Sequence, residues 1–453
     1  MRERSLSEVA SAVGGRIEGQ DVRITRVATD SRDAGPGSMF VAISGPRADG
    51  AAFVDDAFAH GAAAAMVPEG VVVDGPAVVV DAPIDGLLAL AADERSASDA
   101  TVVAVTGANG KTTTKDLTAA TLATSFRTHA SPGSFNNEIG LPVTLLTSPA
   151  DAEVIVAELG ARHPGDVARL CEVARPDVVV VTNVGVAHIE IFGSWDAIVE
   201  ASAEPVVALG GDGVAIVNAD DPIVAGYAAR TAARVVTFGL RADADVRADE
   251  VRLDDDGCAS FLLVTGGDHE RIELAVPGEH MVSNALAAAA TASVLGLSAA
   301  ECAAGLKGAR ISHWRMETFT TAGGIRVVND AYNANPESMA AALKSSRWMA
   351  RGARLIAVLG VMAELGPIAE EEHEKLGELA ARIRVDRLIT VGAEAKTIAN
   401  AGLREGVEPE NVAAYDDPED ALADVRAHAR PGDVVLFKAS RVAGLERLAE
   451  ALR

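Results

Sequence analysis

The segment Val102-Val-Ala-Val-Thr-Gly-Ala-Asn-Gly-Lys-Thr-Thr-Thr114 holds the residue types that bind polyphosphate. A β-branched run passes through a glycine-containing turn into a helix that opens on Lys111. The N–H groups of such a turn and helix N-terminus point their positive ends at phosphate, Lys111 adds a full charge, and the Thr112 hydroxyl can ligate Mg²⁺. Thr106, Gly107, Ala108, Asn109, Gly110, Lys111, Thr112 and Thr113 are therefore the candidate nucleotide-binding residues. The spacing departs from the usual P-loop, because the position five before Gly110 is Val105 and the first glycine is Gly107.

Two more side chains belong with this loop. Val154-Ile-Val-Ala-Glu158 is a buried-strand run, and a carboxylate at the C-terminal end of a parallel strand sits at the crevice where ligands bind. Glu158 can there ligate Mg²⁺, which prefers oxygen ligands and phosphates together, or it can cap a helix. His188, in Asn183-Val-Gly-Val-Ala-His188, follows another strand run and lies over the same edge, as a catalytic group or a structural histidine.

These residues need a parallel sheet to bring them together, and the chain supplies the pattern. Strand-like runs Thr101–Thr106, Glu153–Glu158, Asp177–Thr182, Gly213–Asn218 and Arg234–Phe238 alternate with helical stretches, the βαβ rhythm of a doubly wound sheet. Residues 242–276 instead alternate charged and apolar positions around two turns, which predicts antiparallel hairpins attached to that sheet. An Ala-rich helix over Met281–Leu295 closes the unit.

Before it, residues 1–83 read as a small α/β domain with a strand at Met39–Ile43, followed by a helix over Ile84–Ser98. After a linker near Gly308–Arg315, strands at 325–329, 354–359, 386–391, 411–415 and 433–438 restart the alternation, with helices Glu370–Ile383 and Pro418–Ala429. The predicted domains are thus 1–83, 99–312 and 313–453, the last Rossmann-like. The alanine runs at 62–65 and 287–290 read as plain helix.

Composition narrows the function classes. With 453 residues there is room for about three domains. Forty Lys+Arg against 65 Asp+Glu give a net charge of −25, which argues against binding nucleic acid or anionic membranes. Cys171, Cys258 and Cys302 lie far apart with no metal-ligand spacing, as suits a reducing cytoplasm. No apolar run has the length of a signal peptide or membrane span. A monomeric cytoplasmic protein acting on small molecules is expected.

The loop at Thr106–Thr113 resembles that of the Mur ligases, the ATP-dependent amide-forming enzymes of bacterial cell-wall synthesis. Asn136-Asn-Glu-Ile-Gly-Leu-Pro142, Asp330-Ala-Tyr-Asn-Ala-Asn-Pro336, Met362-Ala-Glu-Leu-Gly366 and Lys438-Ala-Ser-Arg441 extend the likeness over nearly the whole chain, as do Thr29-Asp-Ser-Arg32 and Asp49-Gly50. Within the family these stretches resemble the branch that adds D-alanyl-D-alanine to the terminal carboxylate of UDP-N-acetylmuramoyl-tripeptide. The alternatives are a sister Mur ligase, a folylpolyglutamate synthase, or a non-catalytic nucleotide-binding scaffold.

The resemblance implies three domains around one site, with ATP and Mg²⁺ as cofactors. Lys111 and the loop amides would hold the phosphates. Thr112 and Glu158 would ligate one Mg²⁺, and Glu158 with His188 a second. Arg315 would reach the γ-phosphate, Asn284 the adenine and Asp330 the ribose, while Ser31, Arg32, Asn136 and Asn137 would meet the UDP-linked substrate. A carboxylate is a poor electrophile, so it must first attack the γ-phosphorus to form an acyl phosphate, which the dipeptide amine then displaces.

Three positions depart from the family pattern. Val361 stands where Asp is usual, and Ala439 where Gly is usual. Ser202 stands where such ligases commonly carry a carbamylated lysine, and no lysine occurs between Lys115 and Lys307. Glu200 and Glu204, four apart on the predicted helix, read either as a solvated face or as outer carboxylates of the second ion.

Overall fold

Continuous β-branched runs become strands buried on both faces, because they offer no polar side to water. In the computed structural model, which describes residues 1–45 and 48–453, four such runs lie side by side within a nine-stranded sheet. From one edge its order is Asp268–Pro277, Cys258–Thr265, Val246–Leu253, Arg234–Gly239, Val214–Asn218, Val178–Val181, Thr101–Thr106, Val154–Glu158 and Thr128–Ala130. The first three strands pair antiparallel, and every other pairing is parallel. The predicted hairpins are thus present as an extension of the parallel sheet. The short edge strand Thr128–Ala130 has no counterpart in the sequence reading.

The strand Thr101–Thr106 lies between Val178–Val181 and Val154–Glu158, so the turn after it, Glu158 and the Asn183–His188 segment all emerge at one edge. Helix Lys111–Leu122 starts at that edge. Helix Met281–Val294 packs on it with Ala287–Ala290 fully buried, and methyl-sized side chains permit the close approach. Helix Ala299–Lys307 also packs on it, at Gly305, where a Cβ would stand 2.5 Å from Thr121 Cα.

The first unit holds a five-stranded sheet in the order Arg16–Glu18, Ala77–Val80, Ala64–Pro68, Ser38–Val41 and Arg26–Ala28. Here the helical expectation for alanines 62–65 fails. Ala64–Pro68 is the middle strand, flanked in parallel on both sides, and sheet packing overrides the helix propensity of alanine. Helix Pro83–Ser96 touches helix Leu6–Val13 on one side and helices Gly140–Thr147 and Asp166–Ala174 on the other. One apolar cluster therefore runs from Leu6 through Leu87 to Leu141 and Ile155.

The last unit is a six-stranded sheet in the order Glu317–Thr320, Arg326–Asn329, Val434–Lys438, Leu355–Gly360, Arg387–Val391 and Val412–Tyr415, parallel except for its first pair. The departure at Ala439 is accommodated there, since its Cβ fills the space left at Gly360, where a second Cβ would stand 2.7 Å away. This unit is docked on the central one. Three consecutive aspartates of one hairpin turn reach across: Asp254 O accepts from Trp348 Nε1 at 2.9 Å, Asp255 pairs with Arg351 at 3.2 Å, and Asp256 with Arg326 at 2.7 Å. No described helix is long and apolar enough to cross a membrane.

Candidate active site

The loop after Thr106 is built by its glycines and a neighbouring strand end. Gly107 has φ +131°, and a Cβ there would stand 2.1 Å from Thr182 Oγ1, so the early glycine of this variant loop has a steric reason. Gly110, at φ +78°, leads into the helix, and a Cβ would stand 2.3 Å from Asn284 Oδ1. Asn183 fixes the middle of the loop, its O accepting from Ala108 N–H at 2.9 Å and its Oδ1 from Asn109 N–H at 2.8 Å. Lys111 folds over this turn, with Nζ donating to Gly107 O at 2.7 Å and Ala108 O at 3.3 Å. Burial, opposed by the Glu158 carboxylate and aided by the Arg315 charge, holds the Lys111 ammonium below its ordinary value.

Beside the loop is an oxygen-rich cluster. Thr112 Oγ1 donates to Glu158 Oε2 at 2.7 Å and meets Ser134 Oγ at 2.9 Å, while Asn136 Nδ2 donates to Glu158 Oε1 at 2.7 Å. Thr112 and Glu158 are each about 1% exposed. Arg315, from the chain entering the last unit, completes the cluster with Nη2 donating to Ser134 Oγ at 2.9 Å. Its guanidinium lies 4.3 Å from the centre of the Tyr332 ring, and its Nε is buried with no hydrogen-bond partner. Trp314 and Met316 on either side have φ of 60° and 51°, a strained backbone of the kind found at functional sites.

His188 is also left-handed, at φ 61°. Its Nδ1 is bonded to the Glu364 carboxylate of the last unit, which Arg162 also engages. A carboxylate on Nδ1 fixes the ring and leaves the Nε2 lone pair for a ligand. Burial holds the His188 imidazolium below its ordinary value, with Glu364 opposing and the Lys111 and Arg162 charges assisting. Among the described residues no group of three or more His, Cys, Asp or Glu side chains surrounds one point.

The remaining expected residues are placed less directly. Asn284, nearly buried, sits under Gly110 and accepts from Thr114 Oγ1 at 3.3 Å. Asp330 accepts from Met316 N–H at 2.9 Å and from Lys438 Nζ at 2.6 Å. Asn137 Oδ1 accepts from Gly140 N–H at 2.9 Å, in a local helix-starting turn. Ser31 and Arg32 lie in the first unit, in a turn capped by Asp30, whose carboxyl the Arg32 guanidinium holds down at about 2. Among the described residues they have no hydrogen bond to the cluster.

Around Ser202 the contacts are structural. Ser202 Oγ donates to Val199 O at 2.9 Å and meets the Tyr227 hydroxyl. Glu204 accepts from Gly165 and Ala168 N–H at 2.7 and 2.9 Å, opening the helix Asp166–Ala174, and Glu200 pairs with Arg230. Both carboxylates thus have structural partners, and Glu200 lies on an exposed helix face. Sequence reasoning gave no role to Ser134, Lys115, Glu364 or Lys438. Glu364 and Lys438 lay inside stretches already singled out, whereas Ser134 carried no signal of its own.

Comparison with known proteins agrees along the whole chain. Residues 23–122 match the model of the Mur ligase family, catalytic domain; 105–292 that of the Mur ligase middle domain; and 314–441 that of the Mur ligase, glutamate ligase domain. The UDP-N-acetylmuramoyl-tripeptide–D-alanyl-D-alanine ligase of Mycobacterium tuberculosis is 40% identical, with 100% of this chain and 98% of that protein covered. The enzyme of the same name from Bacillus subtilis is 34% identical over 100% and 99%. The crystal structure of MurF from Acinetobacter baumannii superposes with a TM-score of 0.88 at 30% identity, covering 100% of this chain and 99% of that one. MurF from Thermotoga maritima, solved in complex with ADP, gives 0.81 at 29% identity over 94% and 96%. Likeness of this length in both sequence and fold, with the variant phosphate loop intact, places the chain in the Mur ligase family.

Proposed function

We propose that this chain joins D-alanyl-D-alanine to the terminal carboxylate of UDP-N-acetylmuramoyl-tripeptide, splitting ATP to ADP and phosphate, in the synthesis of peptidoglycan precursors. The observation that carries the reading is a partition of charge. Around the loop Lys115 is paired with Asp116, Lys438 with Asp330 and Arg162 with Glu364. Lys111 and Arg315 make no salt bridge among the described residues, come from different units, and are close enough for the Arg315 charge to depress Lys111. Two like charges held together in so acidic a protein suit an anion bound between them. The names of the full-length relatives supply the substrates.

In this reading the loop amides and Lys111 hold the ATP phosphates, and Arg315 meets the γ-phosphate. Asn284 takes the adenine side and Asp330 the ribose. Ser31 and Arg32 meet the uridine diphosphate, with Asn136 and Asn137 nearer the reacting end. Thr112 and Glu158 are hard oxygen donors that suit Mg²⁺, and His188, set by Glu364, is placed to assist a second ion; bound there, Mg²⁺ would neutralise phosphate charge. Lys111 and Arg315 lower the repulsion between carboxylate and triphosphate, so a carboxylate oxygen can attack the γ-phosphorus, breaking its bond to the bridging oxygen and forming an acyl phosphate with ADP as the leaving group. The dipeptide amine then displaces phosphate. Soluble nucleotide-linked substrates put the reaction in the cytoplasm. The domains are taken as 1–83, 99–312 and 313–453.

Phosphate release, with mass detection of product, tests this across UDP-muramoyl peptides ending in lysine or diaminopimelate and across candidate amines. Release that requires both a tripeptide and D-alanyl-D-alanine is expected. Release with a dipeptide-stage acceptor and a single amino acid instead would overturn the choice of substrate.

A further inference from the structure

One turn beyond Lys111 and Thr112, the same helix carries Lys115 and Asp116, and neither faces the loop. Lys115 is among the most buried side chains of the protein, at about 1% exposure. Its ammonium donates to Ser131 O at 2.6 Å and Gly133 O at 2.9 Å, and pairs with Asp116 Oδ1 at 2.7 Å. An ammonium has three N–H donors, and here all three have partners. The other carboxylate oxygen, Asp116 Oδ2, accepts from Ser312 N–H at 2.7 Å and Ser312 Oγ at 2.8 Å. Ser312 belongs to the linker that enters the last unit.

These bonds close a circuit. Lys115 holds the segment that ends in Ser134; Ser134 meets Thr112 and accepts from Arg315; and Arg315 lies three residues from Ser312, which Asp116 holds. Three residues span at most roughly 10 Å, so pinning Ser312 leaves Arg315 little room to wander. Among the described residues, only the Ser134 bond and the Tyr332 ring otherwise fix its guanidinium. The pair is neutral as a whole and does not compete with Lys111 and Arg315 for phosphate.

We propose that Lys115 and Asp116 are positioning residues of the ligase reaction: they set the Ser131–Ser134 segment and the linker at Ser312 against one helix and so deliver Arg315 of the last unit to the Thr112–Glu158 cluster. The inference rests on the reading that Arg315 acts on the γ-phosphate. A misplacement of about 1 Å at such a group can cost on the order of a hundredfold in rate.

The test is a double-mutant cycle on the full-length enzyme, with phosphate release measured at saturating ATP, tripeptide and dipeptide. Asp116→Ala should lower kcat by roughly tenfold or more and change the KM for tripeptide little, because the group acts through Arg315. Asp116→Asn, which keeps an acceptor for Ser312, should recover most of the rate. In an Arg315→Ala background Asp116→Ala should cost no more than about twofold, since coupled residues are not additive. Losses that multiply, or an Asp116→Ala enzyme within twofold of wild type, overturn the inference while leaving Arg315 its role. Wild-type turnover by Arg315→Ala overturns both. Should Asp116→Ala not fold, Ser312→Ala carries the same cycle with an expected loss of about tenfold, the lower end of the worth of one hydrogen bond to a charged group, and multiplication with Arg315→Ala refutes it equally.

Discussion

Replacing Thr112 with valine removes a single hydroxyl from the centre of the site and keeps the branched shape. The side chain is about 1% exposed, and its Oγ1 donates to Glu158 Oε2 at 2.7 Å and meets Ser134 Oγ at 2.9 Å. A hydrogen bond to a charged group contributes about 1.5–3 kcal/mol, and among the described residues the Glu158 carboxylate keeps only its Asn136 partner when that bond is lost. Thr112→Val should therefore unfold at lower temperature or denaturant in the absence of substrates. If the hydroxyl is also a Mg²⁺ ligand, the ion concentration for half-maximal rate should rise about tenfold, equivalent to about 1.4 kcal/mol, and kcat should fall at least as far. Thr112→Ser should restore both. The assay is phosphate release titrated with Mg²⁺ at fixed, saturating substrates, beside calorimetry of the same samples. A stability loss with an unchanged Mg²⁺ titration would refute the ligand assignment and leave the hydroxyl as a partner of Glu158 alone.

Four further outcomes are expected. Lys111→Ala should abolish turnover yet melt like wild type, because among the described residues Nζ bonds only to loop carbonyls; near-normal phosphate release would dismiss the loop assignment. His188 is held below its ordinary value, so kcat should stay flat through about pH 6.5 and fall only below it, where the imidazole gains its proton. Glu364→Gln removes the partner that raises His188 and should move this acid limb lower, at reduced kcat; a move upward contradicts the pairing. In the last unit Asp424, which burial pushes up, is nonetheless held low by Arg387 and the Tyr415 hydroxyl, at 2.6 Å from Arg387 Nε and 2.7 Å from Tyr415 Oη. Its contribution to stability is full above the ordinary carboxylate value and is lost as pH falls through the lowered one. Asp424→Ala should thus cost about 3–5 kcal/mol near neutrality, and denaturation curves that converge with wild type already in mild acid would contradict this. Finally, bicarbonate removal should leave the rate unchanged and Ser202→Ala should stay within about twofold of wild type, since Ser202 is turned to Tyr227; strong bicarbonate dependence would overturn this.

What could be read from the sequence was whatever depends on near neighbours. The run into Lys111 announces a strand, a turn and a helix, and all three stand where expected because the β-branched run suits a buried strand and the turn admits only glycine at 107 and 110. Glu158 was legible for a related reason: parallel pairing with Thr101–Thr106 puts both strand ends at one edge. Alanines 64 and 65 misled, since a small side chain serves a helix or a crowded sheet equally and only the neighbouring strands decide. Ser134, in a turn without periodicity, owes its importance to Arg315, 181 residues away. Glu364 meets His188 across 176 residues. Contacts of that kind exist only where the last unit meets the central one, and no local pattern encodes that meeting.

That docking has a thermodynamic consequence. Bringing the last unit onto the central one places the Arg315 charge near Lys111, and the repulsion works against docking, whereas the three aspartate contacts of the 254–256 turn and the Glu364–His188 bond favour it. An anion that binds between Lys111 and Arg315 turns the repulsive term into an attractive one. It must therefore bind more tightly to the docked arrangement than to an undocked one, and by linkage must shift the population toward docking by the same factor. In the proposed reading, the anionic substrate of a protein of net charge −25 binds where each unit brings a cation that makes no salt bridge among the described residues. Pairing Lys115, Lys438 and Arg162 with carboxylates leaves Lys111 and Arg315 as the two side chains proposed to meet that anion.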